Sequence, residues 1–286
     1  METVQFIEEE IKAFVLTSPL NHMPIMDNHI IYDEPLVGFA DGDDPIFTEY
    51  KTIIAPTHLT PREALAKTYN KSPEDMPAHL SVISWILPIT SSIRESQRRH
   101  TATPSRLWGS LEWYGENFFE AMQEHVAEFL TKMGYLAVAP FREPYFEEDW
   151  SREKVSSNWS EKHIAYAAGL GTFSFSGNFI SERGVAISCG SVVTSLVLPA
   201  SPRIAENPYS NCLFYATGTC KACADRCPVG AITDSGHDDR KCANRIHAIR
   251  YLEKKYNAGR VGCGMCMTKV PCEYRNPMKN QNKKKG

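Results

Sequence analysis

Apolar residues recur at helical spacing at the start of the chain, where Val4, Ile7, Ile11, Phe14 and Val15 predict an amphipathic helix over 4–15. From 20 to 55 the text turns loop-like. Its one short strand, Leu36–Ala40, enters a turn at Asp41-Gly42-Asp43-Asp44-Pro45. No calcium-loop spacing follows those aspartates, so a turn explains them better than a hard-metal site does. Thr60-Pro61-Arg62-Glu63 is a helix start with an N-cap, a first-turn proline and a capping-box glutamate. Leu80–Leu87 is apolar, partly β-branched and stopped by Pro88, as a buried strand would be. Residues 91–105 are polar and basic, with Arg94, Arg98, Arg99 and His100, then Arg106. They read as a solvated loop, a phosphate-bearing ligand being the alternative.

Leu111–Met133 predicts a long helix with an aromatic and methionine stripe, read as core packing and closed by Gly134. A strand is expected over Tyr135–Pro140. A helix capped by Asn158 or Ser160 then runs through His163 and Tyr166 to Ala168 and opens into Gly169-Leu170-Gly171. That turn is either a backbone-lined pocket or a plain helix C-cap. Val185–Leu198 predicts two strands, or one bent at Gly190. This order of helices and strands implies an α/β domain over 1–200. Three prolines between 199 and 208 mark its boundary with a second unit over 205–278, and residues 279–286 form a solvated basic tail.

The second unit carries the chemistry. Cys220, Cys223 and Cys227-Pro228 reproduce the back half of the bacterial ferredoxin run C-x2-C-x2-C-x3-C-P. Thr217 stands where its first cysteine would be, and Cys212 is the nearest substitute. Cys242, Cys263, Cys266 and Cys272 follow, so eight cysteines lie between 212 and 272. A 4Fe–4S cube needs four converging soft thiolates, and eight make two sets. In two-cluster ferredoxins the cysteine before the proline serves the other cube. By that rule Cys212, Cys220, Cys223 and Cys272 hold one cluster, and Cys227, Cys242, Cys263 and Cys266 the other. Structural zinc accounts less well for the C-x3-C-P run and the count of eight, and disulfides suit small secreted chains. The ninth cysteine, Cys189, reads as a buried core thiol.

A net charge of −3 gives no global field toward nucleic acid or a membrane. No apolar run is long enough to span a bilayer, and the acidic N-terminus is unlike a signal peptide, so a reducing cytoplasm is expected.

Trp159-Ser160-Glu161-Lys162-His163-Ile164-Ala165-Tyr166-Ala167-Ala168-Gly169-Leu170-Gly171-Thr172-Phe173, together with the cysteine run and its distant C-x2-C partner, resembles the epoxyqueuosine reductase family. The likeness is greatest to its shorter ferredoxin-domain relatives, which share features with reductive dehalogenases. The resemblance implies a nitroreductase-like α/β (α+β) N-terminal domain that holds a corrinoid (cobalamin), and a C-terminal two-cluster ferredoxin-like domain that feeds it electrons. It implies that Gly169, Leu170, Gly171, Thr172 and Phe173 line the corrinoid site, with a flavin as the weaker alternative. The tRNA-acting members carry a catalytic Asp in a D-x-x-P stretch, where this chain reads Val155-Ser156-Ser157-Asn158-Trp159. With no basic stripe either, the expected substrate is a small organic molecule rather than tRNA.

The function that follows is an iron–sulfur oxidoreductase, loaded by a redox partner protein and reducing an organic substrate. Tyr166, His163 and Glu161 are the candidate proton donors. The alternative is an electron-transfer or activator protein that reduces a partner and has no substrate of its own.

Overall fold

The structure is a computed structural model, described here for residues 2–151, 154–205 and 207–279. Its centre is a four-stranded, wholly antiparallel sheet. The strands are β1 (Leu36–Asp41), β2 (Ser81–Pro88), β3 (Ala137–Val138) and β6 (Ile187–Thr194), in the order β1-β2-β6-β3. β2 and β6 pair along their full lengths, Ile187 opposite Pro88 and Thr194 opposite Ser81. The sequence expectation of an α/β layer is met with helices on both faces of an antiparallel sheet. Of the two readings of Val185–Leu198 the single strand is the one present, and Tyr135–Pro140 contributes only a two-residue strand.

Every residue of β2 is buried because both its faces are covered. Ile83, Trp85 and Leu87 point into one core, against α1 (Glu2–Thr17), α4 (Ser91–Arg98) and the long α5 (Arg106–Lys132). Val82, one residue out of phase, joins the other core with Phe47 and Tyr50 of α2 (Ile46–Ile53), Leu65 of α3 (Pro61–Thr68) and Ile164 of α6 (Glu161–Ala167). The period-two alternation of a strand is thus present but invisible as polarity, since neither side meets water. Local signals operate as expected at α3. Thr60 accepts from the Glu63 N–H, and the Glu63 carboxylate accepts from the Thr60 N–H. Gly134, at φ +93°, follows α5 in the left-handed conformation that glycine tolerates. The basic stretch 91–105 departs from its loop reading, since 91–98 is α4.

After α6 come the short strands β4 (Gly171–Phe173) and β5 (Phe179–Ser181), paired with each other. The cysteine-rich part is built from short pieces: α7 (Leu213–Thr217), α8 (Ala222–Arg226), the two-residue strands β7 (Ile232–Thr233) and β8 (Gly236–His237), α9 (Asp239–Ala248) and α10 (Tyr251–Tyr256). No distinct two-cluster ferredoxin domain is resolved in this topology. The Gly262 N–H donates to the Gly109 carbonyl at the start of α5 (3.2 Å), and Arg226 donates to the His100 carbonyl (2.7 Å). Of the tail at 279–286, only Lys279 lies among the described residues, where it pairs with Glu182. Among the described residues no helix is long and apolar enough to cross a membrane.

Candidate functional site

The sheet leaves one edge open. β3 covers β6 only at Val193 and Thr194. Among the described residues no strand pairs with the stretch Ile187–Val192 on that side. Beside this edge lies a cavity of about 540 Å³, bounded by α5, by Phe179 of β5 and by the segment Gly262–Met267. Its wall is largely aromatic and aliphatic, with Tyr32, Trp108, Phe119 and Phe141. Set into that wall are the polar groups of Glu112, Glu116, Glu161, Lys162, Asn178 and Ser188. An apolar recess of this size with a few convergent polar groups is the usual form of a ligand site.

Glu161 is its most perturbed group. Burial pushes the carboxyl up to about 8, against the opposing pull of its hydrogen bonds from Ser191 and Gln123. Gln123 Nε2 donates to Glu161 Oε1 (2.7 Å) and the Ser191 hydroxyl to Oε2 (2.6 Å). Trp159 Nε1 in turn donates to Ser191 Oγ (3.0 Å). The Gln123 side chain is fully buried, and its Oε1 has no partner among the described residues. Glu112 is open to solvent yet flanked by protein, as a side chain at the mouth of a recess is. That crowding, with Glu116 one turn on, raises its carboxyl. Glu116 is raised for the same first reason, while Arg260 pairs with it at 2.8 Å and opposes the shift.

The three proton-donor candidates are not brought together. Glu161 borders the cavity. Tyr166 instead borders a separate open recess beside Asp44 and Arg203. The His163 ring packs against Phe173 and Tyr50, with Nδ1 2.8 Å from Ser160 Oγ. Burial lowers it to about 3, so it stays neutral. Residues 169–173 do not border the cavity. A Cβ on Gly169 would meet the Pro202 carbonyl, and one on Gly171 the Ile180 carbonyl, so both glycines serve close approach of the chain to itself. Thr172 is buried and accepts from the Asn211 N–H (2.9 Å). The cavity groups Glu112 and Glu116 lie on the helix whose aromatic stripe dominates the sequence pattern. Only their one-turn spacing could have pointed to them.

All nine cysteines are free of disulfides. Cys212, Cys220, Cys223 and Cys272 surround one small recess. Burial first, then neighbouring Cys212 and Cys220, push the Cys223 thiol up to about 11, and Cys272 is raised by burial and the other three. Around Cys242, raised to about 11 mainly by burial, the neighbouring thiols are Cys263 and Cys227. Around Cys266, raised to about 12 mainly by burial, the nearest are Cys242 and Cys263. Cysteine sulfurs that accept hydrogen bonds include Cys212 from the Phe175 N–H (3.4 Å), Cys227 from the Ala231 N–H (3.2 Å) and Cys266 from Asn178 Nδ2 (3.4 Å). Among the described residues no three His, Cys, Asp or Glu converge tightly enough for a single metal ion. Cys263 belongs to the second group and to the cavity wall.

No family model matches the chain, and neither does any curated protein. Solved structures do. A selenomethionine-labelled epoxyqueuosine reductase superposes with a TM-score of 0.53 at 16% identity, over 94% of this chain and 66% of its own. An epoxyqueuosine reductase solved with an epoxyqueuosine-modified tRNA-Tyr stem loop gives 0.50 at 17% identity, with the same coverage. The fold is therefore the α/β, nitroreductase-like fold of the epoxyqueuosine reductases. This chain spans 66% of the length of those structures, just under two thirds.

Proposed function

We propose that the protein is an iron–sulfur reductase. In this reading two 4Fe–4S clusters, held by Cys212/Cys220/Cys223/Cys272 and by Cys227/Cys242/Cys263/Cys266, deliver electrons to a cofactor in the cavity, which serves reduction of an organic substrate. The observation that carries the reading is the position of Cys263, a member of one thiol group and part of the wall of the cavity that Glu161 also lines. The donor sets fit such clusters: four unpaired thiols each, in largely apolar surroundings, with N–H donors on Cys212, Cys227 and Cys266. When bound, the clusters would supply single electrons.

A corrinoid is the cofactor that the fold suggests, and a flavin the second choice. Aromatic walls and a rim of carboxylates, Asn178 and strand edge suit a flat ring bearing amides. In about 540 Å³ a corrin's side chains would have to extend through the mouth.

The chain's own part is to exclude water and supply a proton. Replacing a carbon–halogen bond by carbon–hydrogen consumes two electrons and one proton and releases halide. With its carboxyl raised to about 8, Glu161 holds that proton at neutral pH. A half-turn of the Gln123 amide would turn its unpartnered Oε1 toward Glu161, where it can accept from the protonated carboxyl. Ser191 and Trp159 fix the other oxygen.

The test is anaerobic purification with iron and cobalt analysis and a visible spectrum after corrinoid or flavin reconstitution. About eight irons and one bound cofactor per chain are expected. Eight irons without cofactor uptake would favour the electron-carrier alternative. Zinc in place of iron would sink the cluster reading.

A further inference from the structure

A further recess, about 460 Å³, shares a lining residue with the recess of the Cys212–Cys220–Cys223–Cys272 group. Val270 lines both this recess and the thiol recess, and Cys272 lies between it and Glu273 in the chain. The other walls are basic. Arg94 and Arg98 both grip the buried Glu273, at 3.2 and 2.7 Å. Their guanidiniums and that of Arg275 lie 5.3, 5.8 and 5.3 Å from the centre of the Tyr274 ring. Lys269 and Arg275 are exposed. Four cations, Arg94, Arg98, Lys269 and Arg275, against Glu95 and Glu273 leave this face about two charges positive, on a chain whose net charge is −3.

We propose that this face is the docking surface for an acidic one-electron carrier protein that loads the Cys212 group. The proposal rests on the cluster reading above. One electron passes from the reduced carrier to the group, and the carrier departs oxidised by one electron, with no bond made or broken. Two features favour a protein over RNA. The Tyr274 ring is half exposed but engaged by three guanidiniums, with which a stacking base would have to compete. The recess wall is the chain segment that holds a cluster thiol, where an electron donor has to come close. Opposite charge would orient the encounter and make it salt-sensitive.

The experiment uses the full chain purified anaerobically and an oxidised acidic 2Fe–2S ferredoxin as probe, with affinity measured by calorimetry at low and high salt. Binding is expected at low salt, falling steeply as salt rises. The Lys269→Glu/Arg275→Glu double variant should bind about tenfold or more weakly, with iron content and the dithionite-reduced EPR signal unchanged. Affinity indifferent to both salt and charge reversal overturns the docking surface alone. So does an RNA stem-loop that binds this face, and is lost on reversal, where ferredoxin does not bind. Absence of iron and of any dithionite-reducible signal overturns the cluster reading, and the docking proposal with it.

Discussion

Burial leaves the Glu161 carboxyl its proton at neutral pH, and its behaviour with pH follows from that. The folded chain binds this proton up to about pH 8, whereas an unfolded glutamate releases it near its ordinary value. Between those limits the native state holds the extra proton. Its stability therefore falls as pH rises through the window and levels off above it. Glu161→Gln keeps the shape and removes the titration. The variant should gain on the parent progressively from about pH 5 to 8 in urea midpoints. It should also lose roughly 10²-fold or more of any reductive turnover that needs the proton. A stability gap that stays flat across that window would show that Glu161 is ionised throughout. The residue was legible in the sequence as a candidate because it stands at the head of the helix leading to the glycine turn. Its companions His163 and Tyr166 face other surroundings, because a helix of seven residues sends side chains in every direction and spacing alone does not say which one meets a cavity.

At the scale of elements, the junction of α5 with Gly262-Cys263-Gly264 decides where one thiol group sits. Gly264 has φ +58°, and a Cβ there would run into the Trp108 indole, while one on Gly262 would meet the Glu112 carboxylate. Both glycines let the cysteine between them lie against the helix. Gly264→Ala is expected to cost about 1–3 kcal/mol through left-handed strain and displaced tryptophan. It should also lower the occupancy of the Cys263 group more than that of the other group, as read by iron content and EPR. Equal loss from both groups would mean that the junction acts on the whole unit. The capping box at Thr60, the buried strand at 81–88 and the long helix were legible because their signals are local. The helix at 91–98 was not, since its polar face hides the buried Ile93 and Gln97 that hold it to the core.

For the molecule as a whole, the chain order of the cysteines crosses between the groups. Cys223 and Cys227 are one short helix apart in sequence, yet they neighbour different thiols. Cys223→Ser is expected to deplete the cluster shared with Cys212, Cys220 and Cys272. Cys227→Ser should deplete the one shared with Cys242, Cys263 and Cys266. Each variant would retain roughly half the iron and one of two distinct EPR signals. Loss of the same signal in both variants would overturn the crossing.

By itself the sequence singled out the eight cysteines between 212 and 272 and the division into two sets on which the proposal rests, because thiolate spacing around a metal core is a local and chemically demanding constraint. It also determined the central buried strand, because burial on both sides of a strand leaves an unbroken apolar run, while the helices at 46–53 and 91–98 lay in stretches that read as loop. Only the tertiary structure decided where a ligand can sit. The cavity arises where β6 outruns β3 and is closed by α5 and the Cys263 segment, elements far apart in the chain. No local pattern records that meeting, since it depends on how long each strand is relative to its neighbour and on which faces pack last.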